Sequence, residues 1–592
     1  MGTRQWLLSS GDLDRWTLGA AGATAASAAA LLWYMTRGCS VKSEYYERVR
    51  RRLDLERHRR QLLTQQLTTG GQLMTVRRQL IVELPLAQLI EQLQSGKITA
   101  TEALRAYQAK AMEITEQYNC ITEFVTTAEE RAAALDALPE SKRGPLHGVP
   151  ISVKDSIDLE GFDSTLGLAK YLDRPAASNA TLVQTLIDLG AVPFCKTNVP
   201  QTLMSFGCSN PVWGVTTNIR DPARVPGGSS GGEAVLVAAG GSPLGLGSDI
   251  GGSARVPALF SGCCGFKPTC GRVSSVGETS FMPAFTGVLP TLGFLAREPS
   301  DVRRVLRLIT TPLPGADMYR LDPLLPRVLW NESLESAGRP WRVGYLSELP
   351  FCPVTPGVRR VITETVSALE AAGMELVPFQ LDCGPAELQL FLQQALPDNG
   401  AFLCRALENE VLDVSVADLA HGMKLPTWVR PLISWVLGSR YRFASSRLKA
   451  WTADTEQAVV LRAAQDQYVQ RTVTRWRAAR LDLLLLPGFA CPPPPRDKVS
   501  ELIVGGLYTM LMNMLNFPAG ILTVDRETEE DQAALEHYPT PSVELQWFKE
   551  ASRGARGQPL GVQVAALPWM EEQLLAGMCD IERAIEKHYR KT

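Results

Sequence analysis

Between residues 226 and 269 glycine occurs at a density that weakens any regular helix or strand: Gly227-Gly228-Ser229-Ser230-Gly231-Gly232, then Gly240-Gly241, then Gly245-Leu246-Gly247-Ser248-Asp249-Ile250-Gly251-Gly252-Ser253-Ala254-Arg255. A chain keeps such a run where backbone amides must converge on a ligand and a Cβ would obstruct them. Taken alone, Gly-Gly-Ser-Ser-Gly-Gly reads as a flexible loop or a phosphate cradle. A phosphate loop would require Gly-x-x-x-x-Gly-Lys-Ser/Thr, which this chain lacks. What the run offers chemically is two glycine-framed serines, Ser229 (with Ser230 beside it) and Ser253.

A serine hydroxyl is a poor nucleophile until a neighbouring base takes its proton. Histidine is scarce here: the five (His58, His147, His421, His537, His588) are scattered and none is grouped at metal-ligand spacing. Upstream, residues 145–154 alternate β-branched and small residues between prolines and end on Lys154, as a strand ending on a lysine would. Lysine serves as a base only if burial pulls its pKa from roughly 10.4 toward neutrality. The twelve cysteines form no Cys-x-x-Cys pair, so neither a disulfide framework nor a structural zinc site is expected, and a reducing compartment is the simpler reading. No cofactor and no metal are expected. With 60 Lys+Arg against 62 Asp+Glu, no nucleic-acid partner is expected either.

Beyond the glycine run, strand-like segments (residues 342–345, 375–381, 481–486) alternate with helical ones (358–372, 455–479, 570–587), which predicts an α/β architecture around a mixed sheet. At the other end, residues 16–35 carry no charge, and at 1.5 Å per residue they span about 30 Å, one bilayer core. A cleaved signal peptide is the alternative, since Ala26-Ser27-Ala28 resembles a cleavage site. The run, however, continues through Leu31, Leu32, Trp33 and Tyr34 into a basic cluster (Arg37, Lys42, Arg48, Arg50, Arg51, Arg52), which favours a retained anchor. The positive-inside rule then puts residues 1–15 on the far side of the membrane and the large carboxyl-terminal part in the cytosol. Residues 36–79 read as a basic helical spacer, solvated on its way out of the membrane. In residues 424–451, Leu425, Trp428, Val429, Leu432, Trp435 and Val436 recur at three- and four-residue intervals, flanked by Lys424, Arg430, Arg440 and Arg442. Broken by Pro431, the segment is too short to span; from its residues alone it is either a core-facing helix or one lying in a membrane surface.

Residues 226–232, 248–257 and 262–269 together resemble the signature stretch of the amidase signature family, and residues 148–155 are similar to its base-carrying strand. The likeness continues through residues 198–201, 210–211, 516–520 and 566–569, so it covers nearly everything from about residue 80 onward. It implies an α/β amidase-signature fold over residues 80–592, a large twisted mixed β-sheet surrounded by α-helices, preceded by a transmembrane helix. It further implies Ser253 as the nucleophile that becomes acylated, Lys154 as the general base, and Ser229 as the relay between them, held by a cis peptide after Gly228. Backbone amides of Ile250, Gly251, Gly252 and Ser253 would form the oxyanion hole. Ser229 and Leu203 would also contact substrate, while Ser230 and Arg255 would support the loops.

Within the family the likeness is strongest to membrane-bound members, which implies a serine hydrolase that cleaves primary fatty amides and N-acylethanolamines to fatty acid plus ammonia or amine. Trp428, Leu432, Trp435 and Val436 then become a membrane-dipping cap, the partners a lipid amide and the bilayer, the assembly a homodimer, and the location the endoplasmic reticulum or another endomembrane. Two other readings compete: a general small-amide amidase or transamidosome amidase subunit, and a non-catalytic lipid-binding scaffold that kept the fold.

Overall fold

The computed structural model describes residues 40–590 apart from 69–71, 286, 337, 427, 439 and 451–454. The expected anchor over residues 16–35 lies outside the described residues, and among those no helix is long and apolar enough to cross a membrane.

Thirteen strands are described: β1 Ile121–Phe124, β2 Pro150–Lys154, β3 Val192–Thr197, β4 Ser209–Asn210, β5 Gly214–Val215, β6 Leu244–Asp249, β7 Cys264–Lys267, β8 Thr291–Ala296, β9 Arg342–Tyr345, β10 Glu375–Pro378, β11 Leu483–Pro487, β12 Ala519–Arg526 and β13 Pro559–Ala565. Eleven form one sheet in the order β1-β3-β2-β6-β8-β7-β12-β13-β11-β9-β10, and β4 pairs with β5 separately. β3, β2 and β6 run parallel, as do β11, β9 and β10; the remaining neighbours are antiparallel. The α/β reading with a mixed sheet therefore holds. Most central strands are buried on both faces, which is why runs such as Leu483-Leu484-Leu485-Leu486 lack polar alternation. β10, expected over residues 375–381, stops at Pro378, at the sheet edge where a missing N–H does least harm.

The glycine run serves packing as well as the site. Helices Gly231–Ala238 and Arg255–Ser261 are buried along nearly their whole length. A Cβ on Gly245 of β6 would sit 2.3 Å from the Glu233 carboxylate, so the first helix can lie on the sheet only because that position is bare. Glu233 in turn accepts hydrogen bonds from Ser152 of β2 and from Thr197 of β3 (2.9 Å), and burial pushes its carboxyl up to about 8.

Residues 36–79 were expected to be a solvated spacer; the structure instead docks helix Ser40–Leu67 on the body. Tyr45 and Val49 are buried against Ala169, Leu172, Val212 and Trp213. Arg52, which sequence reading counted only as juxtamembrane charge, contacts Glu123 of β1, Asp163 (3.4 Å) and Glu56 (3.6 Å) with its side chain 10% exposed. The helix has a weak apolar stripe, so its attachment is largely electrostatic and was hidden from a search for hydrophobic periodicity. Replacing Arg52 by Ala would leave Asp163 without its ion-pair partner and Glu123 with only the longer contact to Arg59 (3.6 Å), and breaking such a buried pair costs about 3–5 kcal/mol. Arg52→Ala should lower the denaturation midpoint and expose residues 40–67 to proteolysis. Arg50→Ala, whose side chain is 84% exposed, should do neither.

Candidate active site

β2 and β6 are parallel neighbours in the register Ser152↔Gly245 and Val153↔Leu246, so both end on the same edge of the sheet. That edge is where open α/β sheets bind ligands. Lys154 closes β2, and the Ser248–Ser253 turn leaves β6. The loop between β5 and helix Gly231–Ala238 brings Ser229 in from the side. Lys154 Nζ donates to Ser229 Oγ at 2.8 Å and to Ser248 Oγ at 2.9 Å. The Gly228–Ser229 peptide is cis, as the motif implied. Ser230 stitches the two loops together: its N–H donates to the Ser253 carbonyl at 2.9 Å, and its hydroxyl meets the Ser248 backbone at 3.4 Å.

Lys154 is fully buried and Ser229 and Ser253 are 2% and 7% exposed. Burial pulls the Lys154 ammonium down to about 8, against the opposing charges of Glu278 and Asp249. A lysine so placed is neutral for a large fraction of the time in mildly alkaline solution, as a general base must be.

Asp249 organises the turn that carries Ser253. It accepts from the N–H groups of Gly252 (2.8 Å) and Ala254 (3.1 Å), from Arg255 Nε (3.0 Å) and Nη2 (2.8 Å), and from Asn513 Nδ2 (2.9 Å). Burial alone would raise its carboxyl, but the charge and hydrogen bonds of Arg255 and the amide of Asn513 outweigh it and hold the group well below the usual carboxylate range. Arg255 continues the web to Thr509 O (3.1 Å), Gln563 and Asn513. One expectation changes here: the Gly252 N–H is turned to Asp249 rather than toward the cavity. Gly252 has φ +125°, and a Cβ there would lie 2.3 Å from Thr509 Oγ1.

The two serines face a cavity of about 300 Å³. Its wall is mainly apolar, with Leu203, Met204, Phe206, Ile250, Phe281, Met282, Phe391 and Met510, and carries a polar strip at Ser275, Glu278, Thr279 and Ser280. Leu203 lines this cavity from a turn in which Thr202 and Leu203 both take left-handed φ (61° and 65°), a strained choice for the β-branched Thr202. Asp249 was visible in the motif but had been given no role. Glu278, Phe391 and Met510 were not found, since nothing local marks residues that the fold brings in from a connecting loop and two distant helices.

Further off, Trp428, Leu432, Trp435 and Val436 are 77%, 57%, 73% and 65% exposed, on or just before helix Arg430–Leu437. Arg430 and Ser434 face inward instead, and Ser434 pairs with Ser445 at 2.9 Å. Four apolar side chains of this segment thus point away from the core, while Leu425 and Val429 are half-buried.

The family model for Amidase matches residues 102–575. Fatty-acid amide hydrolase 1 of Sus scrofa is 37% identical over 510 residues, covering 85% of this chain and 86% of that protein. Fatty acid amide hydrolase 1 of Caenorhabditis elegans is 35% identical over 541 residues, covering 90% and 93%. A solved structure of fatty acid amide hydrolase superposes with a TM-score of 0.75 at 23% identity, over 93% of this chain and 96% of that one, and shares the fold.

Gly252→Ala should displace the Ser253 turn from Thr509. A misplacement on the scale of 1 Å is worth about 10²-fold in rate, so labelling of Ser253 by a fluorophosphonate probe should slow by about that factor.

Proposed function

The chain belongs to the amidase family and hydrolyses amide bonds, and from that premise we propose that its substrates are fatty acid amides, both primary amides and N-acylethanolamines, cleaved to fatty acid plus ammonia or amine. The observation that carries the reading is a buried lysine amine 2.8 Å from a serine hydroxyl, at the wall of an apolar cavity that Ser253 also lines. The similarity to the pig and nematode fatty acid amide hydrolases supports the substrate class.

In this reading neutral Lys154 takes the Ser229 proton while Ser229 takes that of Ser253, and Ser253 Oγ attacks the amide carbon. The oxyanion that forms is met by backbone N–H groups of Ile250, Gly251 and Ser253, with the Gly252 amide holding the turn to Asp249; one critical donor of this kind is typically worth about 2.7–4 kcal/mol. As the C–N bond breaks, the proton returns from Lys154 through Ser229 to the leaving nitrogen. Water, deprotonated by the same relay, then frees the acid from acyl-Ser253. Leu203 and its apolar neighbours would hold the acyl chain, and Ser230 and Arg255 keep the loops in register.

The outward row Trp428, Leu432, Trp435 and Val436 supports contact with a lipid surface, since exposed apolar patches of this kind mark interaction sites. With the anchor expected at residues 16–35, it extends the reading to a membrane-attached homodimer working on the cytosolic face of an endomembrane. A soluble small-amide substrate would need neither feature.

Hydrolysis of a long-chain N-acylethanolamine should exceed that of a short-chain amide and vanish in Ser253→Ala. The wild-type rate should rise with pH through about 8, where Lys154 loses its proton, and fall as the pH drops below it. Lys154→Ala should remove that limb and slow the reaction by about 10²–10⁴-fold. Long-chain turnover that persists in Ser253→Ala would sink the assignment of the nucleophile.

A further inference from the structure

Residues 268–290 connect β7 to β8 and cross the end of β2 on the way. Just past Lys154 the two backbones are pinned: Asp158 N–H donates to Gly277 O at 2.9 Å, Thr279 N–H to Ser156 O at 2.8 Å, and Ile157 bridges Glu278. Glu278 is thereby fixed at the cavity wall with Ser229, Ser248 and Ser253, and its Oε2 is buried without a hydrogen-bond partner among the described residues.

The groups facing Lys154 come from every element packed around it: Asp155 on its own strand, Cys208 from the β3–β4 connection, Glu233 from the helix above, Asp249 from β6, and Glu278. All but one are spoken for. Asp155 accepts from Thr165 Oγ1 (2.8 Å) and Leu166 N–H (2.7 Å), Glu233 from Ser152 and Thr197, and Asp249 from Arg255 and Asn513. Burial pushes the Cys208 thiol up to about 12, so it stays neutral. Glu278 itself faces Lys154, Asp249 and Cys270; burial raises its carboxyl, while hydrogen bonding from Ser248 and the charge of Lys154 oppose the rise. Of the four carboxylates, only Glu278 has an oxygen with no hydrogen-bond partner.

We propose that Glu278 is a positioning residue of the hydrolysis, whose carboxylate, facing Lys154 across Ser248, governs the charge state of the base. The proposal rests on the reading of Lys154 as that base. Without an acid here, a buried lysine surrounded by neutralised groups would give up its proton too readily to hold the one it takes from the serines. With Glu278 in place, the ammonium formed in the first step is stabilised until the leaving nitrogen needs the proton. The residue lies outside the glycine-rich stretch of residues 226–269, and no hydrogen bond joins it to Ser229 or Ser253 among the described residues.

The test is the pH dependence of kcat/KM for an uncharged long-chain primary amide, measured on the full chain. Glu278→Gln should move the acid limb to lower pH by about one unit, because removing a facing opposite charge disfavours the charged form of the base. Its plateau should fall, because a weaker base takes the proton less well. Glu278→Asp should keep the limb near the wild-type position. Glu278→Ala, which buries no amide, should read the same shift if the Gln variant does not accumulate. A limb left at the wild-type pH in both neutral variants, whatever their plateau, overturns the proposal. A limb that survives in Lys154→Ala overturns the identity of the base instead, so the two failures are told apart.

Discussion

The Asp249–Arg255 pair is the contact on which the rest of the site depends. Both side chains are fully buried, and a buried ion pair adds little stability by itself, because the desolvation of two charges offsets their attraction. Its value lies in the geometry it enforces. Donors and acceptors of five other residues converge on it, the Gly252 and Ala254 amides, Asn513, Gln563 and the Thr509 carbonyl, and together they hold the turn after β6. Ser253 sits between Gly252 and Ala254, held at both sides by a residue four positions away.

Lys154 follows a second constraint of the same kind. A parallel pair of strands delivers Lys154 and Ser248 side by side, and the burial that comes with a central strand does the electrostatic tuning. Burial at the inner end of β2 is what pulls the ammonium down, against the opposing charge of Glu278.

Much of this could be read from the residues because the chemistry is concentrated in a short stretch. The glycine spacing picked out Ser229, Ser230 and Ser253, the strand ending on a lysine picked out Lys154, and the outward row of Trp428 and Trp435 was visible as periodicity. What escaped were features built from long-range pairing. Glu278 is a lone acid in a loop, and only the backbone bonds of its neighbours Gly277 and Thr279 to Asp158 and Ser156, just past β2, give it meaning. Phe391 and Met510 join the cavity from helices more than a hundred residues away. The docking of helix Ser40–Leu67 escaped for a different reason, because it relies on Arg52 meeting acids of a strand and a loop that no helical pattern could reveal.

The reach of the Arg255 web sets the order in which the protein can mature. Its partners Thr509, Asn513 and Gln563 lie 254 to 308 residues further along the chain. Contacts of such separation form late, since the loop they close must be ordered first. During synthesis a ribosome-bound chain already carries Lys154, Ser229 and Ser253, yet the Arg255 web stays incomplete until Gln563 of β13 emerges. A product truncated before that point would hold all three side chains without the full set of contacts that holds the turn between Asp249 and Arg255.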